Sequence, residues 1–207
     1  MASAVIHMAV AKRVNEVLNL DNERAFLFGA VAPDIAKMVG SQRYISHFAN
    51  PVDGVPDLDR FLARYKEYLV NEYELGYFVH LATDVLWSNE FLPNFVTDDC
   101  IIDKKGEKLR FPEEEISEII YNDYSNMNAQ LLSYYNFDLS LYYQDFEFPE
   151  NHIKEVNEVY FPMVIKKLGD ISTYTKEYSY LFNIESIVHF IEFATIYCLD
   201  EIKKIEI

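Results

Sequence analysis

His80 and Asp84 stand four residues apart within residues 75–87, a stretch that is otherwise almost wholly apolar. On a helix that spacing stacks the two side chains one turn apart on one face. There they offer a divalent ion one imidazole nitrogen and one or two carboxylate oxygens. The wheel places Tyr73, Tyr77, His80, Asp84, Trp87 and Phe91 on one stripe, and Leu75, Phe78, Val79, Ala82 and Leu86 on the other side. A helix that is apolar all round is a buried helix. An ionised carboxylate buried in it without a partner costs several kcal/mol or more, and no Lys or Arg shares its stripe.

The same anomaly recurs along the first half of the chain. His7 falls within the apolar stripe Ala4, Met8, Ala11, Val14 and Leu18. Asp34 closes the apolar run 28–33, where Pro33 disfavours helix for Ala32 and sets Asp34 at a break. His47 lies among aromatics in residues 44–48. Each residue has an ordinary alternative: a hydrogen-bonded core histidine for His7, an N-cap for Asp34, a turn residue for His47, and one hydrogen-bonded couple for His80 and Asp84. Five such coincidences in a chain with only 5 histidines favour a shared metal site. Mixed His/Asp ligation suits zinc and also manganese or iron, and excludes a thiolate site.

Taken in order, His7, Gly29-x-x-x-Pro33-Asp34, Ser46-His47-Phe48 and Gly76-Tyr77-Phe78-x-His80-Leu81-x-x-Asp84 resemble the zinc-dependent phospholipase C family, over roughly the first 95 residues. The resemblance implies an all-α, single-domain multi-helix bundle of the phospholipase C/nuclease type, spanning residues 1–207. It implies that Asp34, His47, His80 and Asp84 hold one metal, and that Asp84 bridges to a second that also uses His7. Asp34 would then serve as a catalytic base as well as a ligand. The implied activity is a metal-dependent hydrolase acting on a phosphodiester or phosphomonoester through a metal-bound hydroxide, with one or two ions, zinc first.

The chain also departs from the family pattern. Glu90 stands where a further metal histidine is expected, and the later H-x-x-x-E pair is missing. The nearest substitute is Asp123, on the face shared by Ile116, Ile119, Ile120, Met127 and Tyr134. It is a further metal ligand, a carboxylate behind a ligating histidine, or an ordinary ion pair or cap. The other class of function is a non-catalytic helical protein with a structural metal site, or a degenerate relative that has lost catalysis. His152 reads as a surface residue, and Glu185 with His189 as a solvated helix face.

The remaining composition narrows partners. A net charge of −16 argues against a nucleic-acid surface and against stable docking on anionic membranes. A small phosphate ester is the expected partner. Cys100 and Cys198 fit no disulfide framework, and no signal peptide is visible at Met-Ala-Ser-Ala, so a cytoplasmic location is expected. Periodicity predicts helices near 3–19, 22–31, 33–40, 57–70, 72–91, 113–135, 150–168 and 183–204, with Asp57 as an N-cap. Residues 98–106 read as an exposed excursion with a short extended piece at 100–102. The aromatic stretch 134–148 either packs over the cleft or fills core.

Overall fold

The computed structural model describes residues 1–35, 42–97, 99–140, 149–173 and 179–205. The architecture is an all-α, multi-helix bundle with one small open sheet. In chain order the helices are α1 (Ala4–Leu18), α2 (Glu23–Val31), the single turn α3 (Arg43–Ser46), α4 (Leu58–Tyr65), α5 (Glu72–Leu86), α6 (Glu113–Tyr134), α7 (Phe161–Thr173) and α8 (Ile184–Lys204). The helix expected over 33–40 lies mostly outside the described residues.

Side-chain caps start several of these helices by satisfying otherwise orphaned amides. Ser3 caps α1, Asn22 caps α2, Asp57 caps α4 as its position predicts, and Asn183 caps α8. Helix α5 is buried almost throughout and packs on α1, α2, α4 and α8. Beyond Leu86 it widens into a π-type turn over Trp87–Phe91.

Helices α2 and α5 pack closely, with two glycines facing each other's backbones. A Cβ on Gly29 would lie 1.9 Å from the Tyr73 carbonyl oxygen, and one on Gly76 2.0 Å from that of Phe26. No side chain fits there. The contact brings the C-terminal end of α2, and Asp34 just beyond it, against the middle of α5 where His80 sits.

Two expectations need correction. The short extended piece expected at 100–102 is present as β2 (Cys100–Ile102), but it is the centre of an antiparallel sheet with β1 (Val96–Thr97) and β3 (Lys108–Arg110), which pairs Ile101 with both Val96 and Leu109. It buries Ile101 completely, so the segment carries part of the core. The helix expected over 150–168 instead begins at Phe161, after a 3₁₀ turn at Glu158–Tyr160. Residues 150–157 are held irregular by tertiary bonds. The His152 amide donates to Glu74 Oε1 at 2.6 Å, and the Lys154 amide to the Tyr65 hydroxyl at 3.3 Å. Pro162 occupies the first turn of α7, where its missing N–H costs nothing.

Candidate metal centre

Helices α1 and α5, the end of α2 and the turn after α3 bring His7, Asp34, His47, His80 and Asp84 together. His7, His47, His80 and Asp84 are fully buried, and only Asp34 keeps an edge, with 14% of its side chain exposed. His7 stacks on His80 with ring centroids 3.6 Å apart. The two oxygens of Asp84 face different histidines. Oδ1 lies 3.3 Å from His7 Nε2, while Oδ2 lies 3.6 Å from His80 Nε2 and 3.8 Å from His47 Nε2. Asp84 Oδ1 also accepts the Ala2 amide at 2.9 Å.

His47 reaches the cluster through a strained backbone. Phe48, directly after it, has φ +52°, which is unfavourable for a bulky L-residue. The surrounding structure must hold such a conformation in place. Here Phe48 is clamped edge-on against Phe61, Tyr65 and Tyr77, and the chain turns away as soon as the imidazole has been delivered. The Tyr77 hydroxyl donates to the Ser46 carbonyl and fastens the turn to α5.

Two groups of donors could each hold a divalent ion: His7, Asp34 and His80, or His47, His80 and Asp84. The donor spacings fit such an ion. Bonds of about 2.0–2.2 Å around a tetrahedral ion put neighbouring donors about 3.3–3.6 Å apart. His47 Nε2 and His80 Nε2 are 3.3 Å apart, His80 Nε2 and Asp84 Oδ2 3.6 Å, and His47 Nε2 and Asp34 Oδ1 3.8 Å. His80 Nδ1 lies 2.8 Å from the Ala30 carbonyl oxygen, which can only accept. Nδ1 therefore carries the hydrogen, and Nε2 turns a lone pair toward its neighbours. Among the described residues, the buried polar side-chain atoms without a hydrogen-bond partner include both nitrogens of His7 and Oδ2 of Asp84. Buried polar atoms are rarely left so.

The charge state agrees. Burial pushes the Asp84 carboxyl up, but the facing His7 and His80 outweigh it and hold it well below the usual carboxylate range. Asp34 is lowered in the same way: burial opposes, and His47, His80 and His7 prevail. Burial, and then the neighbouring His7, push His80 down to about 3. The unfolded chain therefore takes up a proton on His80 between its ordinary value of 6.5 and about 3, while the folded chain does not. Stability must fall with pH across that window, by up to about 1.4 kcal/mol per pH unit. The depressed carboxylates act in the same direction below about pH 4. Chelator-treated protein should thus melt progressively lower from pH 7 to pH 4. A melting temperature that stays flat over that range would contradict the buried neutral imidazole.

The other sequence candidates sit apart from the cluster. Asp123 accepts the backbone amides of Tyr180, Leu181 and Phe182 at 2.8, 2.6 and 2.9 Å. Both its oxygens are engaged in fastening the approach to α8, which is the cap among its alternative readings. Glu90, Glu185 and His189 are exposed. His152 is not a free surface residue: its Nδ1 lies 2.9 Å from Glu74 Oε1 and its ring stacks on Tyr68. Of the aromatic stretch, Tyr135 and Phe137 pack against the core, and residues 141–148 lie outside the described residues.

Three features of the centre and its helix escape the sequence reading. The Ala2 amide and the Ser46 hydroxyl carry no signal in a single chain. Glu74, fully buried on α5, could have been found by the argument that exposed Asp84, a charge within an all-apolar helix.

Comparison with family models, with curated proteins and with solved structures finds no match to this chain. Among the described residues, no helix is long and apolar enough to cross a membrane.

Proposed function

We propose that this protein is a metal-dependent phosphoesterase of phospholipase C-like construction, with zinc as the first choice of metal. One observation carries the reading: electron-rich atoms of Asp34, His47, His80 and Asp84 converge at 3.3–3.8 Å, and among the described residues no Lys or Arg pairs with either carboxylate. Such an arrangement is unfavourable until a cation sits between the donors. A pair of divalent ions held there would polarise a phosphoryl oxygen and acidify water for in-line displacement at phosphorus.

The residues divide the work by position. Asp84 offers its two oxygens to opposite sides, which suits a bridge between two ions. His80 and His47 supply imidazole nitrogens from a dry interior. Asp34 alone meets solvent, so it is placed to orient water and take its proton. The motif order that resembles the zinc-dependent phospholipase C family supports the same division, and a small phosphate ester is the substrate class that follows.

A structural role has its own support. Asp34, His47, His80 and Asp84 would supply four ligands if they held one ion together, and structural zinc sites are closed at four. Turnover separates the two readings. Protein reconstituted with zinc, manganese or iron should hydrolyse at least one member of a panel of phosphodiesters and phosphomonoesters, and lose that activity to a chelator. A metal-loaded protein inert across the panel would leave the structural role.

A further inference from the structure

Helix α2 ends at Val31 because Pro33, two residues on, has no N–H to carry the ladder forward. In a continuing helix residue 33 would donate to the Gly29 carbonyl and residue 34 to the Ala30 carbonyl. Here the Ala32 amide covers both the Phe28 and the Gly29 carbonyls, at 3.0 and 3.2 Å, and the Ile35 amide turns to the Ala32 carbonyl at 3.0 Å. Among the described residues, no backbone amide donates to the Ala30 carbonyl. His80 Nδ1 takes that place from α5, at 2.8 Å.

That contact decides which nitrogen of His80 faces the cluster bare. Nε2 lies 3.6 Å from Asp84 Oδ2 and 3.3 Å from His47 Nε2. A neutral imidazole has one hydrogen, and the buried carboxylate beside Nε2 draws it there. The Ala30 carbonyl draws it to Nδ1 instead, which leaves the lone pair on Nε2 for a metal. A helix carried on through residue 34 would take up the Ala30 carbonyl along its own axis and loosen that hold.

We propose, on the basis of the metal-centre reading above, that Pro33 is a positioning residue: by ending α2 it frees the Ala30 carbonyl to fix His80 as a metal ligand. The same break serves the neighbouring ligands. Asp34 follows directly, with Oδ1 3.8 Å from His47 Nε2, and the Pro33 carbonyl accepts the Ser46 hydroxyl at 3.0 Å. Groups that hold the outer nitrogen of a ligating histidine typically account for about 10–100-fold in metal affinity.

The test compares Pro33→Ala with Pro33→Gly. Both restore the N–H, but alanine carries a helix onward far better than glycine. If the ring mattered only for its stiffness, the glycine variant would suffer more. If it matters for ending α2, the alanine variant should suffer more at the site. In chelator-treated protein at pH 8, the nitrogen-15 shifts of the wild-type His80 ring should report hydrogen on Nδ1. Pro33→Ala should move that population toward Nε2–H, and Pro33→Gly should move it less. Zinc titration by calorimetry should show affinity weakened about 10–100-fold in Pro33→Ala, while its metal-free melting temperature stays at or above that of Pro33→Gly. An unchanged His80 tautomer in Pro33→Ala, or an equal or larger change in Pro33→Gly, would overturn the proposal. The tautomer is read without metal. A wild-type chain that binds no zinc therefore counts against the metal centre, and the nitrogen shifts alone then decide the role of Pro33.

Discussion

Asp84→Asn should remove at least one bound ion and lower phosphoesterase turnover by about 10³-fold or more, because bridged ions act at both the attacking and the leaving oxygen. The substitution preserves the shape of the side chain and the acceptor for the Ala2 amide. It removes the negative charge that faces His7 on one side and His47 and His80 on the other. Chelation should lower the melting temperature of the wild type, since it would strip a compensating cation from a buried carboxylate, and should have a smaller effect on the variant. Glu185→Gln, on the exposed face of α8, is the control and should retain both metal and turnover. Full metal content and full activity in Asp84→Asn would refute the bridging role.

Gly76→Ala should be strongly destabilising, as should Gly29→Ala on the facing helix. A Cβ at position 76 would meet the Phe26 carbonyl oxygen at 2.0 Å, and a backbone atom cannot swing aside as a side chain can. Helices α2 and α5 must separate by more than an ångström, which overpacking data put at about 3 kcal/mol or more. For a chain of this size the melting temperature should fall by roughly 6–12 °C. Separation also draws Ala30 and Asp34 away from His80, so zinc affinity should fall with stability. A melting temperature within about 2 °C of the wild type would show that the helices do not meet as described.

The sequence was most informative where burial and charge conflict. His7, His80 and Asp84 stand out because helical periodicity places them on apolar faces, and a buried charge is costly wherever it occurs. Helices α1, α2, α5, α6 and α8 are legible for the same reason: their apolar stripes are long and several begin at Ser or Asn caps. The segment 150–157 is not legible, because Ile153 and Val156 have helical spacing while the competing bonds come from Glu74 and Tyr65, about 80–90 residues away. The sheet at 96–110 is built from strands of two and three residues, too short for alternation to register. Asp123 shows the limit of the burial argument itself. A buried carboxylate needs compensation, and three backbone amides supply it as well as a cation would. Periodicity reveals the buried charge but not its partner.

Zinc K-edge absorption on the reconstituted chain, with elemental analysis of the same sample, tests the central claim most directly. One or two ions per chain should be found, with nitrogen and oxygen neighbours at about 2.0–2.2 Å and no sulfur at about 2.3 Å. Substoichiometric zinc after reconstitution, or a sulfur shell from Cys100 or Cys198, would contradict a centre built from His7, Asp34, His47, His80 and Asp84.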